Sequence, residues 1–231
     1  YNMKFLTIKK RTLCVILVSV ILICSVVGVC YVVRATSSPK PQYTIVIDAG
    51  HGGKDGGAVG KTTGVTESLL NLQFALKLKE LCENYNFNVV LTRKDMNGLY
   101  SAFATNKKKS EMQKRQEIIE SANPDVVVSL HMNSFPVSSS RGAQVFYAEG
   151  NESGKALGES VQNALHEEID YAKSVAKVGD FYVLNCTEKA GILVECGFLS
   201  NAEEEVLLQD EDYQEKFCYA LLYGILTYFS M

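Results

Sequence analysis

From residue 43 onward, short apolar runs alternate with longer amphipathic stretches. YTIVIDAG (43–50), NVVLTR (88–93), DVVVSLH (125–131), AQVFYA (143–148), FYVLN (181–185) and GILVE (191–195) have the length and β-branched content of strands. Residues 67–85 put Leu69, Leu72 and Leu76 on one helical row and Phe74, Leu78, Leu81 and Tyr85 on a second, the pattern of a well-buried helix. Residues 111–123, 152–168, 202–208 and 213–229 predict further helices. Strands that are apolar throughout, instead of alternating, are covered on both faces. The pattern therefore predicts an α/β fold: a single domain with a twisted, mostly parallel sheet and helices on both faces. The stretch 96–110 reads as a polar loop whose lysines form a solvated patch.

The N-terminal pattern is different. Residues 12–33 carry no charge, and as a helix rising about 1.5 Å per residue they would span roughly 30 Å, a bilayer core. Lys4, Lys9, Lys10 and Arg11 precede this stretch and Arg34 follows it, so the heavier positive charge assigns the N-terminal end to the cytoplasm. The expected organisation is a basic cytoplasmic N-terminus (1–11), one transmembrane anchor or signal segment (12–33), a Ser/Pro-rich linker (34–42) and the folded domain (43–231). A cleaved signal peptide is the alternative, with an apolar region of about 7–15 residues. The greater length here, and the lack of a small-x-small site in YVVRATSS, favour an uncleaved anchor. Either way the domain is membrane-anchored or exported and lies on the extracytoplasmic side.

Composition narrows the function. With 23 basic and 26 acidic residues the chain has no electrostatic footprint for nucleic acid. Its 7 cysteines include no CxxC pair and are too scattered for a stapled scaffold, so they read as free, mostly buried thiols. The Gly-rich stretch GHGGKDGGAVGKT also fails as a nucleotide site. Asp55 stands where both a phosphate-binding loop and a dinucleotide fingerprint need glycine.

Only 3 histidines occur, and two stand at strand ends: His51 after the first strand and His131 at the end of the third. Ligands of open α/β sheets gather beyond the carboxyl ends of strands. Glu195 ends another apolar strand, where a carboxylate is almost never buried without a partner. Glu67 opens the first helix, with Thr66 a candidate cap. Four polar groups from separate segments thus point to one rim. A catalytic zinc site takes three His or carboxylate ligands and leaves a position for water. His166 lacks such company and reads as surface. Glu203, Glu204 and Glu205 read as complements to a helix dipole.

The segments DAGHGGKDGGAVG, Glu67-x-x-x-Asn71-Leu72, TRKD, VVVSLHMNS, GAQVFY and ILVECGFLSN follow one another in an order that resembles the zinc-dependent N-acetylmuramoyl-L-alanine amidases of the amidase-3 type, over essentially all of residues 43–229. The short length, apolar N-terminus and YVLNCTEKAGILVE stretch look most like their germination-specific branch, which acts on spore cortex and prepares muramic δ-lactam formation. The resemblance implies Zn2+ held by His51, Glu67 and His131, and Glu195 as the catalytic glutamate. It also implies peptidoglycan as substrate, with Asn133, Ser134 and Asn201 on the rim as substrate-binding candidates, an activating protein partner outside the membrane, and a spore-envelope location. Ser68 departs from relatives that carry Lys after the ligand glutamate. Only Phe135 to Arg141 separate SLHMNS from GAQVFY, which leaves no room for the blocking helix of larger relatives. The other readings are a membrane-anchored binding or regulatory module without catalysis, and a zinc peptidase of the stem peptide.

Overall fold

The computed structural model describes residues 18–25 and 42–230 and divides the chain into two units, Tyr1–Lys40 and Pro41–Met231. In the first unit residues 18–25 form a helix, α1, with exposed side chains. Among the described residues no helix is long and apolar enough to cross a membrane. The rest of the apolar stretch 12–33, and most of the 34–42 linker, lie outside the described residues.

The second unit runs β1 (Thr44–Ala49), α2 (Glu67–Asn84), β2 (Asn88–Leu91), α3 (Lys107–Ala122), β3 (Val126–Asn133), β4 (Gln144–Tyr147), α4 (Glu152–Glu168), β5 (Lys177–Val178), a 3-10 turn (Tyr182–Asn185), β6 (Ala190–Phe198), α5 (Ala202–Leu207) and α6 (Glu211–Ser230). The strands form one sheet in the order β2-β1-β3-β6-β4-β5. β2, β1, β3 and β6 are mutually parallel, whereas β4 pairs antiparallel with β6 and β5 follows β4, so the sheet is mixed.

Strand periodicity assigns each residue to a face. Ile45, Ile47, Val128, Leu130, Ile192 and Val194 pack into the larger core with Leu70, Phe74, Leu157, Phe217 and Leu221 of α2, α4 and α6. Val46, Val127 and Leu193 face the other way, against Ile119 of α3 and Val183 and Leu184 of the 3-10 turn. Three helices cover the first face but only one helix and a turn cover the second. The carboxyl ends of β1, β3 and β6 are left open on that thinly covered side.

Three expectations need correction. Residues 181–185 are not a strand: Val183 and Leu184 both bury in the same cluster, which neighbours on a strand cannot do because they point to opposite faces. The last strand position is instead the two-residue β5, whose exposed Lys177 and Val178 carry no apolar signal. Helix α3 begins at Lys107, not 111, because the Asn106 side chain caps it by accepting from Lys109 N. The three lysines 107–109 thus belong to a helix and not to a loop.

Candidate metal centre

His51 follows β1 directly, Glu67 opens α2 and His131 lies near the end of β3. Oε1 of Glu67 is 3.1 Å from Nε2 of His51 and 2.8 Å from Nδ1 of His131. One donor atom from each of the three lies within 4.8 Å of the others. Zinc ligands sit about 2.0–2.2 Å from the ion, which leaves neighbouring donors somewhat over 3 Å apart. Two imidazoles and a carboxylate at this spacing fit one such ion.

Local sequence explains the convergence. Gly50 lets the chain pass beneath the His131 ring, because a Cβ there would collide with the imidazole. Thr66 occupies the cap position of α2, yet its side chain makes no capping bond. The helix start is held instead by Glu67 N to Ala58 O (2.8 Å) and Ser68 N to Gly56 O (3.0 Å). The second oxygen of Glu67 accepts from Ala58 N at 2.8 Å. Burial pushes the Glu67 carboxyl up, but the bonds and charges of His131 and His51 outweigh it and hold the carboxyl far below its usual range. Burial would lower His51; Glu67 and Asp55 reverse that and raise it.

Glu195 is the register partner of His131 across the parallel β3–β6 pair. Among the described residues its Oε2 is buried and meets no hydrogen-bond partner. Burial raises its carboxyl to about 7, with His131 and His51 opposing and Glu67 adding to the rise. A carboxyl poised near neutrality next to a cluster of metal-ligand type is suited to taking and returning a proton.

These groups line a cleft of about 370 Å³ that also takes in Asn133 and Ser134. It is also lined by Lys108 and Met112 of α3 and by Phe181 and Tyr182 at the start of the 3-10 turn. Asn201 is not brought there. Its Oδ1 caps α5 by accepting from Glu203 N and Glu204 N, both at 3.1 Å, and its Nδ2 donates to Ser138 O at 2.9 Å. The side chain is committed to structure, because a helix start needs its free N–H groups satisfied. His166 is exposed, as expected.

Sequence reasoning missed the support beneath the cluster. Asp48, 1% exposed on β1, pairs with Arg115 of α3 and accepts from Thr92 Oγ1 (2.7 Å) and Ser129 Oγ (2.6 Å). Burial pushes Asp48 up, yet Arg115 and the two hydroxyls hold it at about 2. Arg115 also bonds Glu111 at 2.8 Å and the main-chain oxygens of Ala49 and His51. Arg93 donates to the oxygens of Ala49, Gly50 and Ser68. Two buried guanidiniums therefore hold the backbone next to His51 and Glu67. The available signal was Asp48 itself, a carboxylate inside an apolar strand just as Glu195 is. Glu204 and Glu205 also do more than complement a dipole. Glu205 accepts from Thr62 N (2.8 Å) and Thr63 N (2.6 Å), and Glu204 from Gly142 N and Phe198 N (2.8 Å each), so they tie loops to α5.

A His–Glu–His cluster and a half-buried carboxylate at the open end of an α/β sheet define a hydrolase of the metal-dependent kind. Residues 45–227 match the N-acetylmuramoyl-L-alanine amidase family, and the chain belongs to it. Its enzymatic activity is hydrolysis of the amide between N-acetylmuramic acid and L-alanine in peptidoglycan, and zinc dependence is general in the family. The chain is 29% identical over 198 residues to the germination-specific N-acetylmuramoyl-L-alanine amidase of Bacillus subtilis, covering 84% of this chain and 83% of that one. Among solved structures it is similar to the CwlD amidase of Clostridioides difficile in complex with the GerS lipoprotein. That match has a TM-score of 0.78 and 38% identity, and covers 82% of this chain and 99% of the other. It also resembles the catalytic domain of CwlV, an N-acetylmuramoyl-L-alanine amidase from Bacillus (Paenibacillus) polymyxa, with TM-score 0.73, 33% identity and coverage of 82% and 99%. Family membership sets aside the non-catalytic module and the stem-peptide peptidase.

Proposed function

We propose that this amidase removes stem peptides from spore-cortex peptidoglycan, working outside the cytoplasmic membrane with a zinc ion bound by His51, Glu67 and His131. The cortex role is supported by the similarity to a germination-specific amidase over most of both chains. The location is supported by the uncharged run at 12–33 and the basic residues before it.

The observation that carries the chemistry is Glu195, a half-buried carboxylate whose Oε2 is buried without a hydrogen-bond partner among the described residues, beside His131 in the same cleft as the ligand cluster. Zinc bound there supplies Lewis-acid polarisation of the scissile carbonyl and acidifies water. Glu195 takes the proton from the water that attacks the carbonyl and passes it to the leaving L-alanine amine. Asn133 and Ser134, on the cleft wall, bind the glycan or peptide arms. Loss of the stem frees the lactyl carboxyl of muramic acid, the group that lactam formation requires. An extracytoplasmic protein partner regulates the enzyme, a reading supported by the similar CwlD amidase being held in complex with a lipoprotein.

The test is digestion of purified spore-cortex and vegetative peptidoglycan by the zinc-supplied full-length chain, read by mass spectrometry. Free stem peptides beginning with L-alanine, released more readily from cortex, are expected. Equal release from both substrates overturns the cortex role. Cleavage elsewhere in the stem overturns the amide assignment.

A further inference from the structure

His51 enters the cluster in the left-handed conformation, with φ at 60°. A residue with a side chain stays there only when its surroundings hold it. Arg115 bonds its main-chain oxygen. On the opposite side of its ring from the cluster, the buried Nδ1 makes no hydrogen bond among the described residues, and the acceptor set 2.9 Å from it is Oδ1 of Asp55, while Nε2 faces Glu67.

Asp55 reaches the ring because the chain doubles back after His51. Gly52 N donates to Asp55 O at 2.8 Å and Asp55 N to Gly52 O at 3.2 Å, closing a tight turn. Gly53 within it has φ at 62°, and a Cβ there would fall 2.6 Å from Gly98 N. Lys108 of α3 holds the second carboxylate oxygen, Oδ2, at 2.9 Å, and Gly57 N donates to Oδ1 at 3.2 Å. With both oxygens engaged, Asp55 is not free to swing inward as a fourth ligand. Histidines that bind metals characteristically donate their other ring N–H to a carboxylate, which sets the tautomer and the ring's orientation.

We propose that Asp55 is the positioning residue of the metal site. It accepts the hydrogen on Nδ1 of His51, presents the lone pair of Nε2 to the ion, and is itself held in place by Lys108. This rests on the reading of His51, Glu67 and His131 as a metal site.

The test is zinc affinity, measured by chelator competition on the full-length chain in detergent, for the wild type, Asp55→Ala, Asp55→Asn, Lys108→Met and His51→Ala. Thermal midpoints of the metal-free proteins are recorded alongside. The expected result is a loss of about 10–100-fold in zinc affinity for Asp55→Ala, the usual range for such supporting carboxylates. A smaller loss is expected for Lys108→Met, and near-recovery for Asp55→Asn, whose amide oxygen still accepts from Nδ1. Metal-free midpoints should stay close to wild type, because Asp55 and Lys108 are at the surface. Wild-type affinity in Asp55→Ala overturns the proposal. So does a fall in its metal-free midpoint with no affinity change in Lys108→Met, which marks a purely structural role. Zinc binding that survives His51→Ala instead overturns the reading of the site itself.

Discussion

His131 and Glu195 are register partners on adjacent parallel strands, so a ligand-type imidazole and an unpartnered carboxylate stand side by side on one face of the sheet. Parallel pairing places side chains of partner residues on the same face. The first prediction follows from this division of labour. Glu195→Gln should lower amide hydrolysis by about 10²–10⁴-fold, the usual contribution of general acid–base catalysis. Zinc content, measured by elemental analysis, should match wild type. A zinc-free variant would mean that Glu195 is a ligand.

Gly50 tests the geometry from the backbone side. Gly50→Ala drives a methyl group into the His131 ring and should displace it from the cluster. Zinc binding and activity should fall together, with far-ultraviolet circular dichroism unchanged. Activity at wild-type level would show that the ring does not need its present position.

The Asp48–Arg115 pair underlies the cluster and should dominate its stability. Asp48→Asn leaves a buried guanidinium short of its main counter-charge, at a cost of about 3 kcal/mol. The pH dependence has a definite sign. The folded carboxyl titrates at about 2, below its value of about 3.9 in an unfolded chain. The pair's contribution is therefore present above pH about 4 and is lost as pH falls toward 2. Urea midpoints of wild type and variant should differ at neutral pH and approach each other in acid. A gap that stays constant from pH 7 to 2 would remove the pair from this role.

Asn201 and Asn133 should separate cleanly. Asn201→Ala removes the cap of α5 and should cost about 0.5–2 kcal/mol of stability, leaving kcat/KM unchanged in the folded enzyme. Asn133→Ala, on the cleft wall, should raise KM and barely move the thermal midpoint. A KM effect from Asn201→Ala would return that residue to the substrate site.

The strands at 44–49, 126–133 and 190–198 were legible because short, mostly apolar runs have few alternatives once helices must cover both faces. The 3-10 turn was not, because Phe181 to Asn185 has the composition of a strand and only its packing under α3 shows otherwise. The two-residue β5 has no pattern at all; it exists because β4 offers it an edge to pair with.

By itself the sequence determined the α/β class, the rim of the sheet where chemistry gathers, and the four residues His51, Glu67, His131 and Glu195. His51, His131 and Glu195 are anomalies against a local background, two histidines at strand ends and a carboxylate in an apolar run, and Glu67 is a carboxylate at a helix start beside the Gly-rich loop. Tertiary structure alone decided what surrounds them. That Asp48 meets Arg115 and that Asp55 meets Lys108 are contacts between residues distant in the chain. Periodicity reports which face a residue occupies, but not which partner waits across it. Partners are set by how the helices settle on the sheet, and only the folded chain makes that choice.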